Sequence, residues 1–319
     1  MEAPKVSIIL INWNNYKDTS ECLESLARIT YPDYRIIIVD NGSEDGSYQR
    51  LVSENPQHRF IRNKENLGFA VANNVGIRDA MEKGTDYVLM LNNDTIVKKD
   101  FLEPMVNFLE NHRQAGVVGG KIYYYDEADK IWTIGGEVRL LRGGSIYYGG
   151  GEKDRGQFDE IKQVTHISGC MSLIKKEVLE TVGLLSEQYF FRGEEWDFCY
   201  RVSKKGYKLF YIPDSVIWHK ISQTIDRYSP TDIYNAYRAK IIFINNFLPK
   251  SLRRPWYCLF YLYATFFAPA KFKKFAKRRL GKDANIQKIK KTISLALKDG
   301  REKDIVTVED IKRVKTEIN

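Results

Sequence analysis

Along the first third of the chain, apolar runs stop abruptly at polar clusters. Val6–Ile11 ends at Asn12-Trp-Asn-Asn15, Arg35–Val39 at Asp40-Asn-Gly-Ser43, and the run after Asp86 at Asn92-Asn-Asp94. A weaker run, His58–Arg62, leads to Asn66-Leu-Gly-Phe-Ala70 and an expected small-residue helix to about Met81. Short, near-continuous apolar runs read as buried parallel strands. Between them, Asp18-Thr-Ser-Glu21 resembles a capping box opening a helix that buries Cys22, Leu23, Leu26 and Ala27. This alternation predicts an α/β fold, a parallel sheet with helices on both faces.

From Gly119 to Thr165 the pattern loosens into Gly135-Gly136, Gly143-Gly144 and Gly149-Gly-Gly151 with interleaved tyrosines and Trp132. Such a stretch is either a run of hairpins or a mobile aromatic wall over a polar ligand. Order returns with an expected strand over Val164–Ile174, a helix over Lys175–Thr181, a strand over Tyr207–Ile212 and the segment Asp214–His219. Beyond Ser229-Pro230, Tyr234, Tyr237, Ile241 and Ile244 predict a helix over Thr231–Leu248, and Ile286–Leu297 and Thr307–Ile318 predict two short amphipathic helices.

Charge separates the two parts. The chain has 319 residues and a net charge of +9, but from Phe247 onward 19 Lys+Arg face 7 Asp+Glu, a surplus of 12 that leaves residues 1–246 at −3. Basicity confined to the far end suits contact with phosphate there, on nucleic acid or anionic lipid. No nucleic-acid-binding motif accompanies it, so nucleic acid is not an expected partner. The apolar stretch Pro255–Ala270, bracketed by Arg253-Arg254 and by Lys271 to Arg279, holds 16 residues. A spanning helix needs roughly 20. An interfacial element over 253–279 fits better, against the alternative of a core helix with a solvated basic sequel. Cys22, Cys170, Cys199 and Cys258 form no CxxC pair and no zinc set, and read as buried or neutral thiols in a reducing compartment. A strand begins almost at the first residue, with no signal sequence before it, and a cytoplasmic protein is expected.

Polar strand ends gathered on one rim make a nucleotide crevice plausible. The turn after the first strand, Asn-Trp-Asn-Asn-Tyr-Lys, lacks the G-x-G-x-x-G of a dinucleotide site, which excludes a dehydrogenase reading. Asp94 stands where a ligand or metal would bind, though an Asn/Asp turn is the ordinary use of such residues. Asp94 with His219 would suit magnesium or manganese if the fold brings them together. In Glu194-Glu195-x-Asp197, an i, i+4 pairing of Asp197 with Arg201 leaves Glu195 free to face the crevice and accept a proton. First-turn acids that complement the helix dipole are the alternative.

Seven segments carry a family resemblance: Val6–Asn15, Val39-Asp-Asn-Gly-Ser43, Asn66–Ala70, Leu91-Asn-Asn-Asp-Thr95, Ser168-Gly-Cys-Met171, Glu194–Arg201 and Val216-Ile-Trp-His219. In this order they resemble the family-two inverting glycosyltransferases of the GT-A fold, most closely the rhamnosyltransferase-like branch, over residues 5 to about 245. The resemblance implies a GT-A domain over 1–246, with a nucleotide-binding half (1–120) and an acceptor half (121–246), followed by a helical basic region over 247–319. It implies donor contacts from Asn12, Asn14, Asp40, Asn66, Gly68, Asn92 and Asn93, a Mg2+ or Mn2+ ion on Asp94 and His219, and a general base at Glu195 or its neighbour Glu194. Two departures stand out: the D-x-D motif keeps only its last carboxylate, and the base position holds Glu where the family usually has Asp.

The expected activity is metal-dependent inverting transfer of a sugar from a UDP- or dTDP-sugar to a hydroxyl of a cell-envelope or lipid-linked glycan. The expected place is the inner face of the cell membrane, held peripherally by 253–279. A non-catalytic nucleotide-sugar-binding or glycan-binding homologue that has lost an efficient base is the alternative.

Overall fold

The computed structural model describes residues 3–221, 229–280 and 285–318. Two units are present, one of Met1–Val138, Ser145–Ser186 and Glu195–Thr224, the other of Arg139–Gly144, Glu187–Glu194 and Ile225–Asn319.

In the first unit the early apolar runs form strands β1 (Val6–Asn12), β2 (Tyr34–Asp40), β3 (Arg59–Arg62) and β4 (Tyr87–Leu91). They pair in parallel in the order β3-β2-β1-β4. Their residues divide by parity, as the two-residue period of a strand requires. Ile8, Leu10, Ile36, Ile38, Leu89 and Leu91 face one core, whereas Ile9, Ile37, Val39, Val88 and Met90 face another. Helices α1 (Tyr16–Leu26), α2 (Ser47–Glu54) and, later in the chain, α4 (Leu102–Asn111) cover the first face. Helix α3 (Phe69–Glu82) packs on the second, where α5 (Lys176–Val182) and α6 (Glu194–Lys204) join it.

Beyond β4 the sheet is mixed, which corrects the expectation of a parallel sheet. Next to β4 lies β11 (Met171–Lys175), antiparallel both to β4 and to β6 (Ala115–Tyr124). A parallel entry needs a crossover of a dozen or more residues, usually helical. The segment between β6 and β11 holds no α-helix; it folds into short strands β7 (Ile131–Thr133), β8 (Gly136–Arg139), β9 (Gly144–Tyr147) and β10 (Lys162–Val164). The strand expected over Val164–Ile174 thus divides in two, leaving Ser168-Gly-Cys170 as a loop.

Tyr207–Ile212 and Asp214–His219 merge instead into one strand, β12 (Lys208–His219), parallel to β6. The register jumps between Ile212 and Val216, so Pro213 falls in a bulge where its missing N–H breaks no ladder bond. The distal end of β12 pairs antiparallel with β5 (Thr95–Val97), His219 lying opposite Thr95.

The second unit is helical. Helix α7 (Pro230–Phe247) starts with Ser229 accepting the Asp232 N–H and with proline at its first position. Ile233, Tyr234, Tyr237 and Ile241 pack with Ile289, Ile293, Leu297 and Val314 from α10 (Ile286–Glu302) and α11 (Val308–Ile318). Between them, α8 (Lys250–Leu262), a π-helical stretch (Tyr263–Phe267) and α9 (Ala268–Leu280) follow one another. Arg238, 2% exposed, donates to the Gln188, Lys303 and Asp304 carbonyls, tying this unit's separate segments together.

Candidate active site

The strand ends of the first unit are joined by side-chain amides. Asn12, fully buried, donates from Nδ2 to Asp40 Oδ2 at 2.8 Å and lies within hydrogen-bond reach of the Ser43 and Ser47 hydroxyls. Its Oδ1 accepts from Thr19, whose own hydroxyl oxygen accepts from Asn93 Nδ2 at 2.7 Å. Asp40 is 1% exposed, and its Oδ1 takes the Ser43 N–H, with Arg62 Nε at 3.7 Å. Asn12 and Asp40 therefore hold the rim loops together. Asn14, at φ 49°, accepts the Glu44 N–H and binds Ser43 through its own N–H.

Asn66 accepts from Asn41 Nδ2 and from the Gly68 N–H. Asn41 Oδ1 in turn accepts from Asn63 Nδ2 and the Leu67 N–H, a hub the motif reading passed over. Gly42 lets the two loops approach: at φ +76° it sits where a Cβ would lie 2.5 Å from the Glu65 backbone. Gly68, also at positive φ, precedes α3 directly.

At the end of β4, Asn92-Asn93-Asp94 turns into β5, and pairing of β5 with β12 brings His219 to Asp94. His219 Nε2 lies 3.1 Å from Asp94 Oδ1, both side chains are buried, and the Lys220 N–H donates to the Asp94 carbonyl. Asn92 Nδ2 stands 3.5 Å from the same ring nitrogen. The Asn92 N–H bonds to the Cys170 carbonyl, so the loop before β11 supports the turn. Burial, with the nearby Asp94 charge adding to it, pushes the Cys170 thiol well up, and burial raises Cys22 to about 12. Both stay protonated and unreactive.

Asp94 and His219 fit a hexacoordinate divalent ion. Adjacent ligands at about 2.1 Å from such an ion are about 3 Å apart, as Oδ1 and Nε2 are. His219 Nδ1 is buried with no hydrogen-bond partner among the described residues. No group of three His, Cys, Asp or Glu side chains suited to a metal occurs among the described residues. Asp94 and His219 would hold such an ion together with oxygens from a substrate and water, as magnesium and manganese usually bind.

The acidic pair opens α6. Asp197 accepts from Arg201 Nε at 2.5 Å, the i, i+4 pairing expected, and Arg201 also donates to the Val182 and Leu184 carbonyls. Glu194 is 3% exposed and belongs to the second unit; Glu195 belongs to the first and is half-buried. The Tyr147 hydroxyl donates to Glu195 Oε1 at 3.1 Å. The other oxygen, Oε2, is buried without a hydrogen-bond partner among the described residues.

Aromatic rings connect this carboxylate to the Asp94–His219 pair. Tyr147 lies edge-on to His166 with centroids 4.9 Å apart and 6.2 Å from Trp132, and Trp132 lies edge-on to His219 at 4.7 Å. Burial drives His166 down to about 4, against the opposing pull of the Glu195 charge, so its ring is neutral near pH 7. Tyr147 and His166 were not singled out as site residues from sequence. The signal for Tyr147 was the run of aromatics among glycines over 119–165, which proves to be short strands and hairpins; His166 lies just past that run and had none.

A profile described as "Glycosyl transferase family 2" matches residues 7–183. The chain belongs to that family. A poly-beta-1,6-N-acetyl-D-glucosamine synthase of Staphylococcus aureus (strain COL) is 26% identical over 226 residues, 70% of this chain and 52% of the relative. Glycosyltransferase GlyG of Streptococcus pneumoniae is 32% identical over 127 residues, 39% of this chain and 41% of GlyG. The chain thus spans about half the length of the first of these curated relatives and less of the second.

Two solved structures share the fold. GalNAc-T7 with UDP, GalNAc and Mn2+ gives a TM-score of 0.61 at 14% identity, over 95% of this chain and 56% of that one. Mannosyltransferase PcManGT from Pyrobaculum calidifontis, in complex with GDP-Man and Mn2+, gives 0.55 at 15% identity, over 99% and 80%. The chain carries a glycosyl transferase family 2 domain, and its mixed sheet has the GT-A-type fold of these two structures.

Proposed function

We propose that this family-2 chain transfers a hexose, with inversion, from a UDP- or dTDP-sugar to a hydroxyl of a lipid-linked or cell-envelope glycan. The observation that carries the reading is the buried Asp94–His219 pair at 3.1 Å on the rim of the strand ends. These two side chains would hold Mg2+ or Mn2+, which when bound neutralises charge developing on the departing diphosphate. Asn92 and Asn93, which carry no charge, stand beside that pair, and Asn14, Asp40, Asn66 and Gly68 shape the donor rim with Asn12 beneath it. Glu195 takes the proton of the acceptor hydroxyl. The acceptor oxygen bonds to the anomeric carbon on the face opposite the diphosphate, whose bond to that carbon breaks. The resemblance to rhamnosyltransferases keeps dTDP-rhamnose among the donors to test.

The assay is release of nucleoside diphosphate from a panel of UDP- and dTDP-sugars, with mass spectrometry of the acceptor. Release that requires manganese or magnesium and yields a glycosylated acceptor is expected. No release from any donor while nucleotide sugars still bind would convert the assignment to a binding homologue.

The second unit supports a membrane location as part of the same proposal. Leu259, Leu262, Tyr263, Phe266 and Phe267 are exposed, at up to 70%, while Ala264 and Ala268 of the same helical run are buried. Exposed Arg254, Lys271, Lys274 and Lys277 flank this apolar face. No helix among the described residues is long and apolar enough to cross a membrane. An interfacial helix with aromatic and cationic contacts to anionic headgroups accounts for both features. Intact protein should therefore sediment with phosphatidylglycerol vesicles, and Phe266→Glu/Phe267→Glu should weaken that binding at least about 100-fold. No sedimentation by the intact chain would overturn the membrane location, and dimerisation without lipid through the same residues would assign the face to a second copy.

A further inference from the structure

We infer that Tyr147 is the positioning residue for the base: its hydroxyl holds one oxygen of Glu195 and so fixes the direction of the carboxylate. This rests on Glu195 being the base. A glutamate has three rotatable side-chain bonds, and a half-buried one wanders among rotamers unless something holds it. Near Glu195 the neutral His166 does not serve, since neither ring nitrogen has a hydrogen-bond partner among the described residues. The Tyr147 hydroxyl, at 3.1 Å from Oε1, does.

Tyr147, 39% exposed, is held on its packed side. It ends β9, whose hairpin with β8 closes tightly: a Cβ on Gly136 would lie 1.9 Å from the Ile146 carbonyl oxygen. Gly136 also exchanges backbone hydrogen bonds with His166, placing the imidazole against the Tyr147 ring. On another side stands Trp132, whose ring meets His219. The β8–β9 hairpin thus sets the hydroxyl that orients the base, and β7, paired with β6, sets the indole that backs the His219 ring. Oε1 is engaged and Oε2 is buried without a partner among the described residues, so the Tyr147 hydroxyl is the hold on this carboxylate. An acceptor oxygen within about 3 Å of it completes the pairing that general-base transfer needs.

The test is a double-mutant cycle on the full chain, read as kcat, donor KM and acceptor KM, with single-turnover measurements for the slow variants. Tyr147→Phe keeps the ring and its packing. It should lower kcat about 10- to 100-fold, as a loosened reacting group does, while donor KM stays unchanged. In a Glu195→Ala background the same substitution should cost nothing more, because the carboxylate it orients is gone. An equal loss in both backgrounds, or no loss in the parent, would overturn the positioning role. Full turnover by Glu195→Ala alone would instead remove the base assignment, a failure the cycle reports separately.

Discussion

Glu195→Gln should abolish sugar transfer, lowering kcat by about 1,000-fold, within the range attributed to a general base. Titration of the donor in the presence of manganese should be unchanged. The amide has the shape of the carboxylate, and its carbonyl oxygen can still accept from the Tyr147 hydroxyl, so packing around α6 is kept. What disappears is the acceptor for the hydroxyl proton. Glu194 supplies the comparison: at 3% exposure it lies deeper than Glu195. If Glu195→Gln turns over at the parental rate while Glu194→Gln is dead, the base is Glu194.

Asp94→Ala should weaken metal-dependent donor binding by about 100-fold or more, read by calorimetric titration of UDP or dTDP with and without manganese. One of two protein ligands would be lost, more than the 10- to 100-fold that removal of an outer-shell partner costs. Binding measured without metal should change little, because the hydrogen bonds of Asn12, Asp40 and Asn66, the proposed donor rim, do not pass through Asp94. Asp94→Asn, which keeps the volume, separates the lost charge from the cavity. Unchanged titrations in both variants would end the metal assignment. The two sites fail differently: loss at Asp94 appears in binding, and loss at Glu195 appears only in turnover.

Much of this arrangement was legible along the chain, for a local reason. Strands β1 to β4 announce themselves as apolar runs with polar ends, and α7, α10 and α11 as 3.6-residue periodicity, because burial on a face writes its period into neighbouring residues. The i, i+4 partnership of Asp197 and Arg201 was readable for the same reason. The direction of β11 was not, since an antiparallel strand and a parallel one bury the same residues. Nor was the continuity of β12, where Pro213 reads as a break and the fold accommodates it as a bulge. Tyr147 was hidden differently: one tyrosine among several in a glycine-rich stretch carries no local mark of the carboxylate it meets.

By itself the sequence determined the polar rim, the family to which the chain belongs, and the candidates Asp94, Glu195 and His219 as separate residues. The tertiary structure alone decided that His219 lies opposite Thr95 and so 3.1 Å from Asp94, and that a hairpin hydroxyl reaches Glu195. Strand register couples residues distant along the chain, and a slip of one position would turn every side chain of β12 to the other face. That register is selected by packing of the whole sheet, which no local stretch encodes.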